Sequence, residues 1–252
     1  MTTRVVVLAA GHGKRMNHEL PKVLVPLNGR PMISYLLDSI KKSGLDARPV
    51  IVVSQDNESK VREVAGAQCD YVIQTERLGT GHAVKTTRAV LEGKADNIIV
   101  LYGDHPLVKP GTILKLAEMH AKNSGPLSML TIQVPDFNEW RTPFHDFGRV
   151  IRNAQGAIIK IVEKKDASEN ELEIKEVNPS FFAFKTDWLW TNLDKLDNNN
   201  SQKEYYLTDL VRFAMDGGYP IATVNADPLE SIGVNTPEHL ELAQNLARKP
   251  SF

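Results

Sequence analysis

Apolar runs of strand length recur at Val5–Leu8, Val50–Val53 and Ile98–Tyr102, each rich in β-branched residues, with helically spaced segments between them. A run apolar on both faces belongs in a sheet covered on both sides. The alternation therefore predicts a parallel, buried sheet of the α/β class. In Pro31–Lys42, Met32, Ile33, Leu36, Leu37 and Ile40 fall at three- and four-residue intervals before the stop at Ser43-Gly44, which makes this a crossover helix. Further helices are expected at Thr80–Glu92 and at Pro110–Lys122, the latter bounded by a Pro-Gly start and an Asn-Ser-Gly-Pro exit.

The character changes at Leu127. Leu127–Val134, Val150–Arg152, Ile158–Val162 and Phe181–Lys185 read as short strands joined by turns, so an antiparallel extension is expected over the parallel sheet. Pro135–Phe147 reads as an irregular loop carrying Trp140, Arg141 and His145. Asp187–Asn200 leads through an Asn-rich turn into a helix at Tyr206–Asp216, followed by a strand at Ile221–Asn225 and a closing helix at Pro237–Arg248. A chain of 252 residues, 42% hydrophobic, can bury a sizeable core. Thirty basic against thirty-one acidic residues leave a net charge of -1, so no global field draws it to nucleic acid or an anionic membrane. Any anion site must be local. The stretch Val5–Ala10 is too short for a signal-peptide core or a membrane span, and a cytoplasmic location is the expectation. The single cysteine, Cys69, rules out an internal disulfide framework and reads as a buried thiol.

The first strand ends in Ala9-Ala10, followed by Gly11 and Gly13. Small residues let a ligand approach, and glycines bare backbone amides that can cradle phosphate oxygens. A dinucleotide fingerprint would need glycine at Met16, and a P-loop would need glycine at Leu8 and a hydroxyl residue at Arg15. Neither holds. Lys14, Arg15 and Lys22 nevertheless place three cations around these amides at a strand's carboxyl end, which suits a triphosphate.

The segments L-A-A-G-H-G-K-R-M and L-P-K-V-L-V-P-L-N-G-R-P-M resemble the signature of sugar-1-phosphate nucleotidyltransferases, in particular the uridylyltransferase domain of the bacterial N-acetylglucosamine-1-phosphate uridylyltransferases. Q-T-E-R-L-G-T-G-H-A, L-Y-G-D-H-P-L, F-G-R-V-I-R, I-V-E-K-K-D-A, E-Y-Y-L-T-D and G-V-N-T-P-E agree in order and spacing, so the likeness spans nearly the whole chain. It implies a Rossmann-like, mixed but mainly parallel sheet flanked by helices, with a smaller antiparallel sugar-binding extension. Residues 1–124 would mainly bind nucleotide, 125–236 mainly sugar, and 237–252 would form a closing helix of a single domain. It implies that Ala9, Ala10 and Gly11 lie beside base and ribose, that Gln74, Gly79 and Thr80 read the base, that Gly13 and Lys14 line the phosphates and that Arg15 and Lys22 grip them catalytically. An amide such as Gln74 offers both a donor and an acceptor, as uracil does. By the same resemblance Asp104 and Asn235 hold Mg²⁺, a donor set this ion accepts because phosphates and water complete its shell. Tyr102, Gly103, Gly148, Glu163, Asn178, Tyr206 and Thr208 would meet the sugar. His105 is left out, since neighbours on a strand point to opposite faces.

The implied reaction is attack by a sugar 1-phosphate oxygen on the α-phosphorus of UTP, giving a UDP-sugar and pyrophosphate. The partners are these small molecules, with no nucleic acid or membrane, and the sequence does not set the oligomeric state. Three departures bear on the sugar. Lys14 stands where the family has threonine, Pro179-Ser180 stands where it has T-G, and Pro135–Phe147 is longer and brings Trp140 and Arg141 toward the expected pocket. CTP or dTTP with another sugar phosphate, a non-catalytic nucleotide-sugar-binding regulator and a dinucleotide-dependent oxidoreductase are the alternatives. Nothing like the hexapeptide repeats of the bifunctional enzymes' acetyltransferase half follows Phe252, so acetyl transfer is not expected.

Overall fold

The computed structural model describes residues 1–11, 13–16 and 18–248, apart from the side chain of Lys14. Its main sheet runs from Asp70–Gln74 through Val50–Ser54, Thr3–Leu8, Asn97–Tyr102, Phe182–Lys185, Leu127–Gln133, Glu176–Asn178 and Gly148–Arg152 to Ile158–Val162, with Ile221–Asn225 also paired to Leu127–Gln133. Alternate residues of the apolar strands serve two separate cores. Val6, Val50, Val52, Ile98 and Val100 face Ala83 and Val84 of helix Thr80–Thr86, with Leu189 of Thr186–Leu193 and Leu210 of Asp209–Asp216. Val5, Val7, Ile51, Val53, Ile99 and Leu101 face helices Met32–Ser43, Glu58–Ala65 and Pro110–Lys122. Each fully buried Val or Ile contributes about 1.5–3 kcal/mol, so the paired faces make these strands the rigid base of the molecule. In the parallel half Leu8 lies opposite Val52 and Tyr102, and Ser54 opposite Gln74. Carboxyl ends of four strands thus share one edge.

The three crossover helices expected from sequence are present, with one interruption. Thr80–Glu92 is two helices, Thr80–Thr86 and Arg88–Leu91. The hydroxyls of Thr86 and Thr87 donate to the carbonyls of Ala83 and Val84 at 2.7 Å, a side-chain competition that disturbs a helix at this point. The antiparallel extension does not lie over the parallel sheet but continues it edgewise. Leu127–Gln133 makes the join: its first half pairs with Phe182–Lys185, its end with Glu176–Asn178. Helix Thr186–Leu193 occupies part of the segment read as a turn, and the helix expected from Tyr206 begins at Asp209. Among the described residues no helix is long and apolar enough to cross a membrane.

A bulge marks the family departure at Pro179-Ser180. Val177 lies opposite Ile132 and Phe182 opposite Met129, so five steps on one strand answer three on the other. Ser180 takes up the excess with a φ of 66°, left-handed backbone that glycine adopts freely and serine at a cost of about 1–2 kcal/mol. The position that is glycine in the resembling family thus carries, in this chain, a backbone that suits glycine.

The longer loop is packed rather than loose. Residues Glu139–Asp146 form a 3-10 segment whose Phe144 is fully buried, and the guanidinium of Arg149, also fully buried, holds the loop's end from beneath. Arg149 donates to the carbonyls of His145 (3.2 Å) and Phe147, to that of Leu172 (3.3 Å), and lies 4.8 Å from the Phe137 ring centre. Three backbone acceptors depend on one side chain. We expect Arg149→Met to leave them unpaired and to destabilise the fold by about 3–5 kcal/mol, lowering the thermal midpoint by roughly 10 °C; an unchanged melt would mean that water takes the cation's place. Ser180→Gly should act oppositely, raising stability by about 0.5–1 kcal/mol once glycine's own entropy is set against the relieved strain. Calorimetry reads both, and a lower midpoint for Ser180→Gly would show that the serine hydroxyl contributes more than its backbone costs.

Candidate active site

The loop after the first strand is tied down along its length. Ala9 accepts from Asn57 Nδ2 and Ala10 from Arg77 Nε, both at 2.8 Å, and Arg77 in turn pairs with Asp56. Gly13, at φ 62°, lies against the Lys22 stem so closely that a Cβ there would stand 2.5 Å from Lys22 Cβ. Met16 is buried among Val25, Leu27 and Met32, which explains an apolar residue where a dinucleotide loop has glycine. The loop thus encloses a cleft of about 450 Å³ bounded by Ala9, Ala10, Gly11, Lys22, Tyr102 and Asp104. Gly103 does not open on it; a Cβ there would meet Val23, so this glycine lets the Lys22–Leu24 turn pack onto the sheet.

Gln74, Gly79 and Thr80 form the opposite wall. Gln74 is nearly buried; its Nε2 lies 3.1 Å from the Gly79 carbonyl and from His82 Nδ1, which leaves its Oε1 as the atom to offer a ligand. Gly79 has φ 104°, and a Cβ on it would strike the backbone of Tyr205 at 2.7 Å. Chain from the last third of the sequence closes in here: Tyr205 N donates to the Leu78 carbonyl, Gly81 N to the Tyr205 carbonyl, and Leu207 N to Thr80 Oγ1. Glu204 thereby enters the cleft.

At the floor, the Lys22 ammonium is held by Asp104 and by Asn235 Oδ1, the latter at 2.5 Å. Val234 N donates to the Asp104 carbonyl at 2.9 Å and brings the two segments side by side. Burial opposes the charge on Asp104, and the Lys22 ammonium together with His105 and a backbone hydrogen bond more than offsets it, so the carboxyl stays below its ordinary range. His105 packs between Phe181, 4.8 Å away and edge-on, and Gly233, whose missing side chain makes room for the ring. It does not line the cleft, but both it and Asp104 lie in the turn beyond the strand's end at Tyr102, so the alternation expected from sequence does not apply to them.

A second group of polar residues lies beyond Tyr102. The Tyr102 hydroxyl is within reach of the Thr80 and Ser180 side chains, and burial followed by the nearby Glu163 pushes its phenol up. Burial also raises the Glu163 carboxyl, although Thr208 Oγ1 donates to it at 3.1 Å. Gly148 lies opposite Asn178 in the sheet, and a Cβ on it would come 3.5 Å from Glu163. Asn178 accepts from Ser180 N at 2.8 Å, while its buried Nδ2 has no partner. Tyr206 is also near, its hydroxyl accepting from Gln202 Nε2 at 2.7 Å.

Arg15 is placed differently. It is largely exposed and does not line the cleft; its guanidinium lies 3.8 Å from Asp146, which Lys164 also holds at 2.6 Å. The Lys14 side chain lies outside the described atoms. Trp140 and Arg141 turn away from the cleft into their own loop, where Trp140 packs edge-on to Phe144 and Arg141 pairs with Asp136 at 2.7 Å. Asp146 is what this loop contributes near the site. Sequence reasoning missed it, together with Arg77 and Glu204, although the last two sit inside the quoted Q-T-E-R-L-G-T-G-H-A and E-Y-Y-L-T-D segments.

The chain is similar to known proteins over nearly its whole length. The chain is 35% identical over 240 residues to the bifunctional protein GlmU of Caldicellulosiruptor saccharolyticus, an alignment covering 95% of this chain and 50% of the relative. With that of Shouchella clausii it is 39% identical over 245 residues, covering 97% and 52%. The chain spans about half the length of these relatives. A solved structure assigned as a glucose-1-phosphate thymidylyltransferase of Bacillus anthracis, in complex with sucrose, superposes with a TM-score of 0.80 at 17% identity, over 99% of this chain and 97% of that one, and so shares the fold. The model of the MobA-like NTP transferase domain matches residues 5–145, more than half of the chain, and the chain therefore belongs to that family.

Proposed function

We propose that this chain is a nucleotidyltransferase that joins UTP to a sugar 1-phosphate, N-acetylglucosamine 1-phosphate or glucose 1-phosphate, and releases pyrophosphate. One observation carries the reading: a cleft at the carboxyl ends of parallel strands has the Gln74–Thr80 wall on one side and Lys22 and Asp104 on its floor, with Asn235 touching the same ammonium and a second polar group, Glu163 and Asn178, beyond Tyr102. The base would rest along Ala9–Gly11 with Gln74 Oε1 accepting from an imide N–H, and the choice of UTP rests on the resemblance to the uridylyltransferase domains. On the sugar side, the unpartnered Asn178 Nδ2 supplies a donor and Glu163 an acceptor for hydroxyl or acyl groups. Residues 1–124 then serve mainly the nucleotide and 125–236 mainly the sugar, with helix Pro237–Ala247 closing the domain.

Asp104 and Asn235 suit a Mg²⁺ ion, because their oxygens already converge on one cation, the Lys22 ammonium, and phosphate and water oxygens would complete the shell. Bound there, Mg²⁺ would neutralise charge on the triphosphate. In the reaction a sugar-phosphate oxygen forms the new bond to the α-phosphorus as the bond to the β-phosphate oxygen breaks, and pyrophosphate leaves with that electron pair. A phosphate oxygen is already an adequate nucleophile, so no general base is required. The work of Lys22 and Arg15 is to position the phosphates and to balance the charge that builds on them.

Pyrophosphate release measured over UTP, dTTP and CTP against several sugar 1-phosphates should be fastest for UTP with one of the two named sugars. Turnover with dTTP or CTP would reassign the base, and nucleotide-sugar binding without pyrophosphate would make the chain a non-catalytic binder. Arg15→Ala should lower kcat by about 10²–10³-fold, while the exposed position leaves the melting curve unchanged; full turnover in this variant would remove Arg15 from the machinery.

A further inference from the structure

We propose that the Lys22 ammonium is a tethered occupant of the divalent-cation seat, so that the metal settles between Asp104 and Asn235 only together with a polyphosphate that draws the ammonium off. The inference rests on reading Asp104 and Asn235 as the metal's ligands. Lys22 Nζ touches both of their side-chain oxygens, so its charge sits where the ion would have to sit. Magnesium requires oxygens at about 2.0–2.1 Å. It could not take these two while the ammonium stays between them, since both cations would compete for the same lone pairs and repel each other across a few ångströms. Nor can the lysine drift far. Its stem is wedged against Gly13, and the side chain is only 12% exposed, so the ammonium is held close to its two acceptors.

A polyphosphate resolves the competition because it brings oxygens for both cations. Its anionic oxygens offer the ammonium a stronger partner than an amide oxygen, and they add ligands to a metal for which the protein supplies only two. Among the described residues no group of three or more His, Cys, Asp or Glu side chains stands ready to hold an ion. Lys22 thus neutralises the anionic floor from within the chain, and this internal cation would be given up in exchange for a metal and a polyphosphate. Lysine suits this use better than arginine, being a compact point charge rather than a planar fork.

The test measures Mn²⁺ binding by electron paramagnetic resonance, without nucleotide, to the wild type, Lys22→Met and the double variant Lys22→Met with Asp104→Asn. Removing the ammonium should tighten Mn²⁺ binding at least tenfold, and adding Asp104→Asn should abolish the gain. Equal, tight binding to the wild type and Lys22→Met, lost with Asp104→Asn, would overturn the inference and leave the metal seat standing. Weak binding to all three, or a gain indifferent to Asp104→Asn, would remove the seat and the inference with it. Should Lys22→Met not fold, Lys22→Gln, neutral and close in length, carries the same comparison.

Discussion

Lys22 and Asp104 form an ion pair largely withdrawn from water, with side chains 12% and 17% exposed, and the rest of the site is arranged around it. Such a pair is a poor source of stability, because each ion has lost hydration that its partner only partly restores. Its strength lies in what it excludes. Either charge alone at this depth would cost several kcal/mol, so the lysine turn, the end of the strand Asn97–Tyr102 and the Asn235 segment are each worth more in the others' company than apart. Gly13 shapes itself to the lysine stem, Gly103 admits the turn, and Gly233 admits the histidine next to the aspartate. Three glycines distant in sequence serve one contact.

The parallel half of the fold was legible because its strands are apolar on both faces, a pattern that only a doubly covered sheet satisfies. The edge strand Asp70–Gln74 escaped the same reading. It is covered less completely, and D-Y-V-I-Q, as long as Val50–Ser54, lacks the uniform apolarity of the central strands. Helix Glu58–Ala65 was missed for a related reason, since it buries only Val61 and Ala65 among charged neighbours. Where the helix near Tyr206 was placed three residues early, long-range pairing decides the outcome: Tyr205 and Leu207 are engaged with Leu78, Gly81 and Thr80, and the chain makes a turn at Leu207-Thr208 before the helix begins at Asp209. Local propensity contains no trace of that pairing.

The candidate site divides in the same way. Small residues and glycines at a strand end, with cations nearby, mark an anion site on physical grounds alone. Asp104 and Asn235 stand 131 positions apart, and no periodicity joins them; family resemblance named them, and the fold brings their side chains to one ammonium. Arg77 and Glu204 read as ordinary solvated charges, because what distinguishes them is the cleft they enter. Ser180 shows the reverse. The sequence marked it as a departure, and only its backbone shows that the serine sits in left-handed geometry that favours glycine.

The wedge between Gly79 and Tyr205 has a thermodynamic consequence. The wall that would receive a base is built partly from the chain just beyond the Asn-rich stretch, and the two are joined by backbone hydrogen bonds rather than by side chains alone. A ligand that stiffens one must stiffen the other, and by linkage whatever orders the Glu204–Leu207 segment raises affinity at the Gln74–Thr80 wall by the same free energy. On the proposed reading, occupancy where Thr208 meets Glu163 would therefore be felt at the Gln74–Thr80 wall without a moving domain to carry the message.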